Sequence, residues 1–129
     1  MSVTKKQLIE FEKKVKKVYE AGKIKAPVHL SGNNEDILIE IFKSIDKNDW
    51  VFSSWRNHYH ALLHGIEEDV LFEKILNGRS MSINSKDRNF YSSSIVGGII
   101  PIALGSALAL KKKKSENKVW CFIGDMTFE

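Results

Sequence analysis

Residues Val119 to Ile123 read Val-Trp-Cys-Phe-Ile, a run without a charge, and Gly124-Asp125 follows at once. Uncharged, mostly bulky residues in such a run read as a strand buried on both faces, the habit of a parallel sheet. Cys121 inside it reads as a small core hydrophobe. A carboxylate just past such a strand stands where open α/β sheets bind ligands. Asp125 is therefore the first candidate for chemistry.

The rest of the chain agrees with an α/β pattern. Thr4-Lys5-Lys6-Gln7 matches a capping box. Leu8, Phe11, Val15, Val18 and Tyr19 follow at helical spacing, so residues 4–21 read as an amphipathic helix ended by Gly22. Ile37, Leu38, Ile41, Phe42 and Ile45 mark a second helix to about Ser44. Trp50 to Ser53 is a short strand. Trp55 to His64 reads as a short helix closed by Gly65, and Glu67 opens another that runs to Leu76. Asn77 to Ser94, rich in serine, asparagine and charge, reads as a long ordered loop. Ile95 to Leu110 carries no charge. It is shorter than the roughly 20 residues a membrane span needs, and glycines and Pro101 interrupt it, so it reads as a buried helix from Val96 to Lys113. The last strand spans Lys118 to Ile123.

Composition narrows the function classes. At 129 residues the chain is one domain at most. Its 43% hydrophobic and 28% charged residues exclude a disordered chain. One cysteine excludes an internal disulfide and fits a reducing cytoplasm. Met1 to Lys6 lacks the apolar stretch of a signal peptide. The net charge of +4 comes from lysines. No arginine or aromatic interleaves with them, so they read as a solvated helix face and a helix end, not as a nucleic-acid surface.

Several constellations could carry chemistry. Ser54 to His60 directly follows a short strand, and an arginine there, Arg56, can clamp a phosphate in bidentate fashion. His58, His60 and His64 resemble a metal set. On a helix, though, His60 and His64 share a face that His58 does not, and no second ligand cluster exists. Histidines that hold a phosphate or a proton are the preferred reading. Ser92 to Gly98 joins the loop to the apolar helix, and its small residues would let a flat ligand approach the backbone. Magnesium prefers carboxylate plus substrate phosphate oxygens, which suits Asp125 at a crevice.

Together these stretches resemble the alpha chain of the 2-oxo acid dehydrogenase decarboxylase component, the family of the pyruvate and acetoin dehydrogenase alpha subunits. The matching residues are His29, Trp55 to Gly65, Gly78 to Met81, Asn89 to Tyr91, Ile95 to Gly97, Pro101, Gly105 to Ala109 and Gly124-Asp125. The implied fold is the N-terminal portion of a three-layer α/β/α thiamine diphosphate-binding domain with a mostly parallel sheet, here residues 1–129, cut off after the Gly-Asp of the metal and diphosphate motif. The implied cofactors are thiamine diphosphate and Mg2+. The implied cofactor-binding residues are His29, Trp55, Arg56, Ile95, Val96, Gly97, Gly124, Asp125 and Met126. Of these, Arg56 holds the diphosphate and Asp125 ligates the metal. His58 and His60 are implied as catalytic hydrogen-bond donors near phosphates or substrate. The implied reaction is oxidative, on a 2-oxo acid or related oxo substrate, with a disulfide acceptor and the cofactor as electron sink.

Three departures from the family pattern stand out. Trp55 replaces a tyrosine, Ser92-Ser93-Ser94 replaces a Gly-Gly-His-Gly stretch, and Met126 replaces the second glycine of Gly-Asp-Gly. The resemblance also implies a beta-type subunit that supplies the activating glutamate, and a C-terminal half of the domain that supplies further metal-site and active-site residues. An oligomer is expected, and the isolated chain is expected to be inactive. The alternative reading is a non-catalytic interaction or regulatory protein that keeps the fold without the activity.

Overall fold

The computed structural model describes residues 3–128. Met1, Ser2 and Glu129, on which part of the amino-terminal reading and the end of the expected domain fall, lie outside them. Thr4 Oγ1 accepts the Gln7 N–H (3.3 Å) and Gln7 Oε1 accepts the Thr4 N–H (2.8 Å). This capping box starts α1 (Lys5–Glu20), whose Leu8, Phe11 and Val15 are buried. Its lysines face outward, with Lys6–Glu10 and Lys16–Glu20 as exposed pairs one turn apart. Such pairs contribute little to stability.

Three more helices follow: α2 (Glu35–Phe42), α3 (His58–Leu63) and α4 (Glu68–Leu76). The strands are β1 (Trp50–Ser53), β2 (Asn84–Ser85), β3 (Phe90–Ser92) and β4 (Val119–Cys121). They form one sheet in the order β2-β3-β1-β4. β1 runs parallel to both β3 and β4, and only β2 is antiparallel to its neighbour. Side chains alternate across the sheet. Val51 and Phe90 join the main core with α1 to α4, and Trp120 and Phe122 pack against it. Phe52 points the other way, to Ile99 and Ala103 of α5 (Ile99–Lys112). The result is a mostly parallel sheet with helices on both faces.

Three expectations need correction. The stretch from Asn77 to Ser94 is not all loop: β2, a 3-10 turn over Lys86–Arg88 and β3 lie inside it. The buried Ser92 hydroxyl accepts the Ile83 N–H at 2.7 Å and so stands in for ladder hydrogen bonds. The apolar helix starts at Ile99 rather than Val96, and it is not enclosed. Ile99 and Ala103 are buried, while Leu104 and Leu108 are exposed. Among the described residues it is the lone helix packed on its face of the sheet. Cys121 is exposed rather than core. β4 is the outermost strand, paired with β1 on one side only, so its side chains are not enclosed.

Asp49, 4% exposed, fastens β4 to the start of β1. Its carboxylate accepts the Lys118 N–H (2.7 Å), the Trp120 indole N–H (2.9 Å) and the Asp46 N–H (3.1 Å). Burial pushes its pKa up, but these donors and the Lys118 charge outweigh burial and hold it below the ordinary value. Asp49→Ala removes three charge-assisted bonds and is expected to cost about 2–3 kcal/mol. Because the folded pKa is depressed, this stabilisation is complete above the unfolded value and is lost as pH falls through the folded one. Chemical denaturation of the parent and Asp49→Ala between pH 7 and 3 should show two curves converging at the acid end. Parallel curves would contradict the assignment.

Candidate functional site

Parallel pairing puts the ends of β1 and β4 side by side, with Phe52 opposite Cys121. The Phe122 N–H donates to the Phe52 carbonyl at 2.8 Å and carries the ladder one step further. The segments leaving both strands open into one cavity of about 310 Å³. Trp55 and Arg56 reach it from β1. Gly124, Asp125 and Met126 reach it from β4. Val96 and Gly97 come from the turn before α5, and His29 from the α1–α2 connector. Eight of the expected cofactor residues are thus gathered at one place, at the carboxyl ends of parallel strands.

Local backbone chemistry sets this geometry. Arg56 sits in the left-handed region (φ 57°), which costs a non-glycine residue roughly 1–2 kcal/mol. Its carbonyl accepts the Ser31 hydroxyl at 3.3 Å, which ties the connector to the arginine. Gly97 has φ 73°, so a side chain there would be strained. A Cβ on Gly98 would lie 3.0 Å from the Ile95 Cβ, so a larger residue there would crowd the turn. Asp125 opens a 3-10 turn over Asp125–Phe128, and its carboxylate accepts the Met126 N–H at 2.9 Å. The Thr127 N–H closes back on the Gly124 carbonyl at 3.1 Å.

Not every expected residue is there. Ile95 precedes the cavity wall and is 69% exposed, away from the lining. His58 and His60 are in the core, not at the cavity. The reason is α3 itself: it is buried nearly all round, and its packing against α1, α2 and α4 turns both rings inward. His58 Nδ1 lies 3.4 Å from Glu12 Oε1, and its Nε2 pairs with the Ser80 hydroxyl at 2.8 Å. Carboxylate, imidazole and hydroxyl stand in the order of a nucleophilic relay, but Ser80 is buried and no substrate can reach it. His60 Nδ1 pairs with the Ser53 hydroxyl at 2.7 Å, and its ring stacks on Phe122 at 4.4 Å. Among the described residues no three His, Cys, Asp or Glu converge as metal ligands, so Asp125 is a single carboxylate at the cavity.

Sequence reasoning missed four lining residues: Ser54, Ile99, Ile123 and Thr127. Ile99 and Ile123 look like ordinary core positions. Thr127 stands three residues past Gly124, the spacing of a turn, and that was the available signal. A wider cleft of about 440 Å³ lies between α1 and residues 30–35. Its buried glutamates are engaged within the protein: Glu12 accepts the Ser31 N–H and Glu35 accepts the Tyr59 hydroxyl. Burial, reinforced by these two carboxylates, pushes the Tyr59 phenol up.

Burial, with a smaller contribution from His58, lowers His60 from the ordinary imidazole value of 6.5 to about 4. The unfolded chain therefore takes up a proton below about 6.5 that the folded chain refuses until about 4. Stability is expected to fall as pH drops through that window. Melting curves of His60→Gln across it should show a shallower pH slope than the parent, and an unchanged slope would refute the burial argument.

A family model described as Dehydrogenase E1 component matches residues 4–127. The chain is 30% identical over 125 residues to the alpha subunit of acetoin:2,6-dichlorophenolindophenol oxidoreductase of Bacillus subtilis (strain 168), covering 89% of this chain and 38% of that protein. It is 32% identical over 133 residues to pyruvate dehydrogenase E1 component subunit alpha-3, chloroplastic, of Arabidopsis thaliana, covering 91% and 31%. It is 30% identical over 128 residues to pyruvate dehydrogenase E1 component subunit alpha of Rickettsia prowazekii (strain Madrid E), covering 92% and 39%. The chain thus spans 31–39% of the length of these three relatives.

Proposed function

We propose, from the premise that this chain belongs to the dehydrogenase E1 component family, that its cavity is the alpha-subunit share of a thiamine diphosphate site. The observation that carries the proposal is the convergence of Arg56 and Asp125 on one cavity from the ends of adjacent parallel strands. The residues fit the group. A guanidinium suits a diphosphate. A lone carboxylate suits a magnesium ion whose remaining ligands are phosphate oxygens and water. Val96, Ile99 and Ile123 give an apolar wall for a ring. Gly97 leaves the backbone open to close approach, since a Cβ there would stand 3.9 Å from the nearest atom, Thr127 Cγ2.

Arg56 would neutralise and orient the diphosphate, and Asp125 would hold Mg2+ against it. Val96 and Gly97 would present main-chain groups to the ring, and His29 would stand beside the phosphates. When bound, the group supplies a carbon nucleophile and an electron sink for an oxo substrate. The substrate class is a small 2-oxo acid or a related ketone of the pyruvate or acetoin kind, with electrons passing to a disulfide acceptor. A beta-type subunit would supply the activating glutamate. A cytoplasmic, reducing setting suits the exposed thiol of Cys121. No helix of the described residues is long and apolar enough to cross a membrane.

Calorimetric titration of thiamine diphosphate with Mg2+ into the chain assembled with the rest of the alpha subunit and a beta-type subunit tests the reading. Loss of the guanidinium in Arg56→Ala is expected to weaken binding at least about tenfold, the effect of removing one strong charge-assisted contact. Asp125→Ala is expected to abolish the dependence on magnesium. No binding by that assembly with the parent sequence, or equal binding by parent and both variants, would overturn the proposal and leave the non-catalytic interaction protein.

A further inference from the structure

We infer that Trp55 is a positioning residue that clamps two walls of the cavity together, and not a ligand of the diphosphate. The inference rests on the thiamine diphosphate reading for its functional meaning, but its geometry stands on its own. Trp55 is the residue that departs from the tyrosine of the family pattern. Its indole has a single N–H, and that N–H donates to the Ser94 carbonyl at 2.7 Å. A donor engaged in a bond of that length has nothing left for a phosphate oxygen. The ring face is occupied as well: it stacks on His29, centroids 4.7 Å apart and planes 29° from parallel.

Those two contacts join segments that no regular element joins. His29 belongs to the α1–α2 connector. Ser94 belongs to the turn that delivers Val96 and Gly97 to the cavity. The same turn is held at its start by the Ser93 N–H on the Ser53 carbonyl (3.1 Å) and internally by the Ile95 N–H on the Ser93 hydroxyl (3.2 Å). Neither of these reaches the connector. Trp55 bridges connector and turn, and its 43% exposure shows that it is not there to fill the core. His29 Nδ1 is buried without a hydrogen-bond partner, so the stack is the contact that fixes the ring's place. The ligand's charge then falls to Arg56, the next residue, while Trp55 sets the spacing between the walls. Holding the walls in place before binding saves the ordering cost at binding.

Trp55→Phe keeps a ring for the stack and removes only the N–H. Hydrogen exchange in residues 93–98 is expected to rise about fivefold or more, as a turn that has lost an anchor opens locally, while α1 and α4 are unchanged. Affinity for inorganic pyrophosphate with Mg2+ is expected to fall about fivefold at an unchanged melting temperature, the mark of lost preorganisation rather than lost stability. Trp55→Ala, which also loses the stack, should mobilise residues 28–32 as well. In the parent, the Trp55 indole proton should exchange more slowly than that of Trp50, and its resonance should move on pyrophosphate addition. This measurement needs no variant to fold. Exchange in 93–98 equal to the parent's, or a Trp55 indole proton as fast as that of Trp50, would overturn the clamp. Slowed exchange and a loosened turn without any pyrophosphate binding by the parent chain in its assembly with the rest of the alpha subunit and a beta-type subunit would keep the clamp and sink the cofactor reading instead.

Discussion

Parallel pairing of β1 with β4 is the contact on which the site depends. Arg56 follows one strand and Asp125 the other, so the two opposite charges line one cavity only because Trp50 to Phe52 lie in register with Val119 to Cys121. Nothing local in the chain would bring them together. Asp49 is the fastener at the opposite end of this pair, where its carboxylate holds the backbone and indole of the incoming strand. A polar group buried at the edge of the sheet therefore governs the spacing of charges at the other end of the same strands.

Much of this was readable from the residues because it rests on local chemistry. The capping box at Thr4, the amphipathic spacing of α1 and the β1 strand each follow from a few neighbours in sequence. Asp125 was readable too, since an apolar strand that runs straight into Gly-Asp has a predictable place in a parallel sheet. What escaped depended on partners distant in the chain. β3 is three residues long and ends in serine, and its strand identity comes from pairing with β1 and from the bonded Ser92 hydroxyl. Pattern alone cannot see either. Cys121 was misplaced because burial on both faces requires a layer over each face, and at the outermost strand, on the face that carries α5, Cys121 is left exposed.

The histidines teach a related lesson. His58 and His60 stand two and four residues beyond an arginine at a strand end, where proximity in sequence suggests proximity to a ligand. A short helix that is buried nearly all round sends polar side chains inward as readily as apolar ones, provided each finds a partner. Glu12, Ser80 and Ser53 are those partners. Trp55 makes the opposite case. Its size would place it in a core, yet it lies at the surface and does its work through one N–H and one ring face.

The separation of the paired segments has a consequence for the order of folding. Asp49 and the Lys118 amide it holds are 69 residues apart, so docking β4 carries the loop-closure cost of the whole intervening chain. Helices α1 to α4 close on nearer neighbours and have no need to wait for it. On a ribosome the arginine would emerge long before its carboxylate counterpart, and the pocket would come into being only once β4 has docked. Occupancy by an anion could then serve as a report that β4 is home.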